Sequence, residues 1–277
     1  MRIQILCAAA SVIVLGPPAS SYAAFERQGE SVRACGMGGA GMSLVGNPWG
    51  ALMNPAGLAG VAGRMIAVSA APAPFGLNEL RRSACAYAEP LGCFTLSAVA
   101  LRYGFELYRE VTVGAACGVD CGKGVRAGAT VTLNTLSIAG YGRGACTGVD
   151  AGVIWEIVRG LDLGAVVSNL NAPSPGRLAE GVPRTIQAGI AYTPVGGFLV
   201  SCDISEDARF PAEVRLGAEF LPAGFLALRG GISTDPSTCS AGIGIRISPV
   251  EIEYAFTRHQ ELGFTHRFGL SLRLGGT

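Results

Sequence analysis

The residues in this chain that could do bond chemistry are few. Glu251 and Glu253 stand two apart, Arg246 and Arg267 flank them, and the only histidines are His259 and His266. Paired carboxylates can serve as general acid and base, and a histidine can activate a neighbouring nucleophile. In an extended segment, however, positions two apart share one face. That placement suits ion pairs with Arg246 or Arg267 on adjacent strands better than acid–base work. His259 falls in an expected loop and His266 opens the last strand-like segment, so both read as hydrogen-bonded structural residues. Gly36-Met37-Gly38-Gly39-Ala40-Gly41 satisfies G-x-G-x-x-G, but no apolar strand precedes it and no acid lies between Glu30 and Glu79. A dinucleotide site needs that strand and usually that acid. No P-loop and no nucleophile elbow occurs. Beyond Cys7, eight cysteines follow, of which Cys117 and Cys121 are the one local pair considered for a disulfide. No C-x-x-C pair marks a metal site, and most of these thiols read as small apolar fillers. The expectation is a protein that is not an enzyme and needs no cofactor.

What must position these residues is a period of two. Ile243, Ile245 and Ile247 alternate with Gly242, Gly244 and Arg246; Ile252, Tyr254 and Phe256 alternate with Glu251, Glu253 and Ala255. Phe268, Leu270, Leu272 and Leu274 oppose Arg267, Gly269, Ser271 and Arg273. Strict alternation marks strands with one apolar and one polar face. Fourteen such segments are expected, at 64–70, 81–88, 93–101, 107–117, 124–136, 148–158, 161–168, 184–193, 197–205, 212–220, 224–231, 239–247, 250–256 and 266–274. The connections between them mostly alternate. Short ones include Arg159-Gly160 and Ser248-Pro249, while longer ones are expected at 71–80, 137–147, 169–183, 205–211, 232–238 and 257–265. Residues 118–123 are of middling length and 102–106 are short. Tight turns at one end and longer loops at the other are the habit of an outer-membrane barrel, with the tight end and both termini on the periplasmic side.

Composition separates that architecture from a soluble sandwich. Of 277 residues, 15% are charged and 49% hydrophobic, 41 are glycine, and the net charge is +1. Soluble chains carry about 25% charge, and a face that meets lipid needs no charged shell. In lipid every backbone group must be paired, which forces a sheet to close. The near-zero charge offers nothing to nucleic acid. Met1-Arg2, an apolar run to Leu15, Gly16-Pro17-Pro18 and Ser21-Tyr22-Ala23 describe a secretory signal peptide over 1–23. Residues 34–63 are nearly uncharged, but their glycines together with Pro48 and Pro55 would make a broken, costly helix.

Two blocks carry a family likeness. The first runs from Arg33-Ala-Cys-Gly-Met-Gly-Gly-Ala40 to Asn47-Pro-Trp-Gly-Ala-Leu-Met-Asn-Pro-Ala-Gly-Leu-Ala-Gly60. The second joins Glu253-Tyr-Ala-Phe256 to Glu261-Leu-Gly-Phe-Thr-His-Arg-Phe-Gly-Leu-Ser-Leu-Arg273. Together they resemble the FadL-like outer-membrane proteins, above all the PorV/PorQ branch. The resemblance implies an all-β fold: a transmembrane antiparallel β-barrel of fourteen strands over 64–277, with an N-terminal plug (hatch) over 24–63. Asn54, Pro55 and Ala56 would lie in that plug, while Glu251, Glu253, Arg246 and Arg267 would face the lumen. It implies residence in the outer membrane of a Gram-negative bacterium, with its lipid and the barrel-assembly machinery as partners. It further implies either passage of small hydrophobic molecules or, as the alternative, a secretion-accessory role beside secretion-system proteins. The chain departs from the pattern in its eight mature cysteines, in ending on Gly275-Gly276-Thr277 without a terminal aromatic, and in its short length.

Overall fold

The computed structural model describes Phe25, residues 30–174, Val182, residues 184–207 and residues 211–274. The expected signal peptide over 1–23 lies outside the described residues. Fourteen strands follow one another: β1 (Arg64–Ala71), β2 (Arg82–Leu91), β3 (Phe94–Gly104), β4 (Tyr108–Gly122), β5 (Val125–Ile138), β6 (Gly142–Val158), β7 (Leu161–Ser168), β8 (Thr185–Val195), β9 (Phe198–Asp207), β10 (Glu213–Ala223), β11 (Leu226–Thr234), β12 (Ser237–Ile247), β13 (Val250–His259) and β14 (Gly263–Leu274). Each pairs antiparallel with its sequence neighbours, and β1 pairs with β14, from Arg64 opposite Leu274 to Ala70 opposite Phe268. The sheet is a closed antiparallel barrel with no free edge, as a chain in lipid requires.

Six connections at one end are two residues long, at 92–93, 123–124, 159–160, 196–197, 224–225 and 248–249. Gly160 and Gly197, both at φ 84°, take the left-handed conformation that such hairpins demand. At the other end three loops are shorter than the sequence suggests. The expected loop at 137–147 contracts to 139–141, the one at 232–238 to 235–236 and the one at 257–265 to 260–262; at the tight-turn end the segment 118–123 is mostly strand, turning only at 123–124. Alternation fades over these stretches because several of their outward residues are polar, among them Ser137, Arg143, Thr147, Thr234 and Arg258. Ladder pairing uses backbone groups and continues regardless.

The outer face is apolar. Ile186, Ile204, Ile252, Phe268 and Leu270 are all exposed. Among the described strand residues that face outward, charges stand only near the ends: Arg64 and Glu89 beside the tight turns, Arg102, Arg109, Arg143, Glu206 and Arg258 beside the loops. The band between them has the character of a lipid contact. Cys85, Cys117, Cys121, Cys202 and Cys239 lie on this face. All eight cysteines after residue 30 are free thiols, which corrects the expected Cys117–Cys121 bridge. Both residues sit on the extended β4, where four residues span about 13 Å, far beyond the ~7 Å limit between Cα atoms for a disulfide.

Candidate functional site: the filled lumen

Residues 30–63 lie inside the barrel. They form one short helix, α1 (Val32–Gly36), and two 3-10 turns, Pro48–Leu52 and Pro55–Gly60. The local sequence explains each start. Ser31 Oγ accepts from Ala34 N–H at 3.3 Å. The chain then repeats Asn-Pro-x-Gly with a spacing of seven. Asn47 Oδ1 accepts from Trp49 N–H at 2.9 Å, and Asn54 Oδ1 accepts from Ala56 N–H at 3.1 Å. In both, Asn caps the turn and proline occupies the first position, where its missing N–H costs nothing.

Trp49, Leu52, Leu58 and Val61 of this segment bury themselves against an inner wall of small residues on β1 to β4, among them Ala67, Ala84, Ala86, Ala88 and Ala116. Elsewhere the segment meets barrel backbone directly. A side chain on Gly128 of β5 would start 2.5 Å from Pro55 O and 2.6 Å from Ala56 N; on Gly217 of β10 it would start 2.6 Å from Met37 Cβ. The inward face of the barrel therefore carries glycine where the segment runs closest.

Polar contacts fix the seat. Asn54 is buried, and its Nδ2 donates to Met42 O at 2.8 Å and to barrel carbonyls Val153 O at 3.3 Å and Ala165 O at 3.4 Å. Pro55 and Ala56 are buried beside it. From the wall, Asp203 of β9 accepts the backbone N–H groups of Gly41 at 2.5 Å and Met42 at 2.9 Å, a nest-like grip on successive amides. Arg33 of α1 pairs with Glu219 of β10 through two bonds of 2.9 and 2.7 Å. Burial pushes the Cys35 thiol on the same helix above its ordinary value, which leaves it unreactive.

Around Glu219 runs a buried ionic network. The Arg229 side chain on β11 is fully buried and donates to Glu219 at 2.7 Å and to Glu253 at 2.7 Å. Arg246 bonds Glu251 at 2.8 Å. The expected neighbours thus meet in part: Arg246 holds Glu251, whereas Glu253 is held by Arg229, which sequence reasoning missed. Arg267 faces the lumen on β14 opposite Ala255. Arg229 and Asp203 carried one legible signal, a charge in mid-strand between apolar neighbours. The histidines are elsewhere. His266 shares a 2.7 Å bond with Tyr254 on the outer wall, and His259 caps the β13–β14 turn by accepting from the N–H groups of Glu261 and Leu262, each at 3.2 Å.

The space that remains is divided. At the tight-turn end a cavity of ≈ 370 Å³ is walled by Arg33, Asn47, Glu219, Arg246, Glu251 and Arg273 among others. At the loop end Phe25, Leu136 and Val182 gather with Tyr108, Ile138 and Cys146 in an apolar cluster. Beside it a space of ≈ 10 Å³ lies between Leu52 and Leu101 on one side and Arg82, Glu110 and Thr112 on the other, about the room for one water. The lumen thus has a filled middle, a charged cavity at the tight-turn end and, at the loop end, a small apolar cluster beside Glu110 and the Arg82–Glu30 pair.

No family model matches the chain, and no curated protein does. Solved structures do. The Ralstonia pickettii toluene transporter TbuX superposes with a TM-score of 0.67 at 12% identity, covering 88% of this chain and 98% of its own. The monoaromatic hydrocarbon channel CymD gives 0.70 at 12% identity, covering 90% and 98%. A Pseudomonas aeruginosa FadL homologue gives 0.63 at 10% identity, covering 87% and 97%. The fold is that of FadL-like barrels, and the likeness takes in more of the chain than its strands span. The narrower PorV/PorQ likeness rests on the two sequence blocks alone.

Proposed function

We propose that this chain resides in the outer membrane of a Gram-negative bacterium, and that it takes up small hydrophobic molecules and passes them across. The observation that carries the reading is the likeness of the fold, over 88–90% of the chain, to structures described as a toluene transporter and a monoaromatic hydrocarbon channel. The apolar cluster at the loop end supports it. An apolar molecule gains by leaving water for the Phe25–Leu136–Val182 cluster. It gains nothing in the charged cavity at the opposite end, where a bound hydrocarbon would displace the hydration of the ion pairs. The two ends thus act as a receiving and a releasing face, and the inner segment between them must shift to connect them. Cells expressing the chain and a matched empty-vector strain are compared for initial uptake of radiolabelled toluene and of a hydrophilic sugar. Uptake of toluene several-fold above the control, with sugar unchanged, is expected. Equal toluene uptake with a correctly inserted, heat-modifiable barrel refutes the proposal.

A further inference from the structure

Strands β4, β5 and β6 are among the longest of the barrel, at 15, 14 and 17 residues, and their loop ends carry a group of outward arginines that the transport reading does not use. The register sets Arg109 of β4 opposite Ser137 of β5, and Ser137 opposite Arg143 of β6. At about 4.8 Å per strand the two arginine Cα atoms stand about 10 Å apart across the hydroxyl, close enough for both guanidinium groups to converge on one oxyanion. One step deeper, Arg102 of β3 lies opposite Val111, two residues along from Arg109 on the same face. Its stem can run up the wall and bring its head to the same level. Arg102, Arg109 and Arg143 form no hydrogen bond or ion pair with another described residue. The nearby Glu106, in the β3–β4 turn, likewise pairs with none of them.

Height assigns the patch to a headgroup layer. Ser137 is twelve residues beyond Val125, the first residue after the β4–β5 turn. At ~3.4 Å per residue and a tilt of ~35–45°, that is about 30 Å above the tight-turn end, just past an apolar band ~25 Å tall. Below the arginines the outward wall is apolar: Ala100 and Ala98 follow Arg102 on β3, and Val113, Ala115, Leu133 and Val131 follow on β4 and β5, a surface on which a saturated chain can lie.

We propose that this patch binds a phosphorylated lipid of the outer leaflet, its phosphate held between Arg109 and Arg143 with Ser137 Oγ beneath and Arg102 alongside. Its acyl chain runs down the apolar wall beneath. Two charge-assisted donors from guanidinium forks suit a phosphate geometrically. The proposal rests on the barrel standing in a membrane with its loops outward, and not on any cargo.

The test uses the processed full-length chain in detergent micelles, titrated with diphosphorylated lipid A, with the same lipid stripped of phosphate, and with inorganic phosphate. Native mass spectrometry reads the lipid-bound fraction. R109Q/R143Q should weaken lipid A binding at least tenfold, and R258Q, an outward arginine near the loop end of β13, should leave it unchanged. The dephosphorylated lipid should bind at least tenfold more weakly, and millimolar inorganic phosphate should not displace lipid A. Unchanged binding in R109Q/R143Q, equal binding of the dephosphorylated lipid, or displacement by free phosphate each overturns the proposal. Heat-modifiable migration confirms that each variant is folded; should the double variant fail, R143Q alone is read by the same criteria. Toluene uptake is expected to be unchanged in R109Q/R143Q, so this site and the transport reading fail or stand separately.

Discussion

Gly128→Ala is the sharpest probe of how the inner segment is seated. The added methyl would start 2.5 Å from Pro55 O and 2.6 Å from Ala56 N, where ordinary contact begins at 3.4 Å. The turn Pro55–Gly60 must therefore retreat by almost 1 Å. Asn54, the residue before that turn, holds Val153 O and Ala165 O by bonds already 3.3 and 3.4 Å long. A further 1 Å takes both beyond hydrogen-bond range. Overpacking of this kind costs about 1–3 kcal/mol, and for a chain of this size that lowers the unfolding midpoint by about 2–12 °C. The matched control is Gly230→Ala on β11, whose methyl points outward into open space and should shift stability by less than ~0.5 kcal/mol. Thermal migration on gels and liposome swelling with a small sugar are measured on both variants. The Gly128 variant should melt earlier and leak more than wild type, and the Gly230 variant should match wild type in both. Equal behaviour of the two variants would refute the close seating described here.

The remaining expectations concern the wall. Ile243 faces outward five residues above the β12–β13 turn, near mid-bilayer, so Ile243→Arg should cost about 2–4 kcal/mol; refolding titrations in lipid read the cost, and one below ~0.5 kcal/mol would refute the outward placement. Arg229→Met leaves Glu253 buried without its nearest cation, and loss of one partner of a buried pair costs about 3–5 kcal/mol. Adding Glu253→Gln should recover part of that loss in the same melting assay. Because the cysteines are free, all eight of the mature chain should label with maleimide after denaturation without reductant, and prior reduction should add none, as read by mass.

The strands and their faces were legible because lipid on one side and a lumen on the other impose a period of two on every segment. Ile243 and Glu253 stand on the faces their alternation assigned. Partner choice was not legible, because it depends on register between distant segments. Arg229 reaches Glu253 across the whole width of β12. It can do so because Gly244 lies between them and leaves the path open: a methyl there would sit 3.1 Å from Arg229 Nη2. Nothing within β11 announces that route. Loop lengths were overestimated where outward residues turned polar, since a hydrophobic pattern ends at the headgroups and a ladder does not. For the inner segment, the Asn-Pro-x-Gly repeats were visible as turn chemistry. Their landing points, Gly128 and Gly217, look in sequence like any other strand glycine.

The seam between β1 and β14 bears on how the molecule is assembled. The segment that fills the lumen emerges from synthesis before any strand, and it rests on bare backbone with no slack for a chain to be threaded past. The wall must accordingly be wound around an occupant already in place, and the pairing of Arg64 with Leu274 seals it there. A rearranged gene that supplies residues 30–63 last would confront a finished cylinder and should yield an empty one.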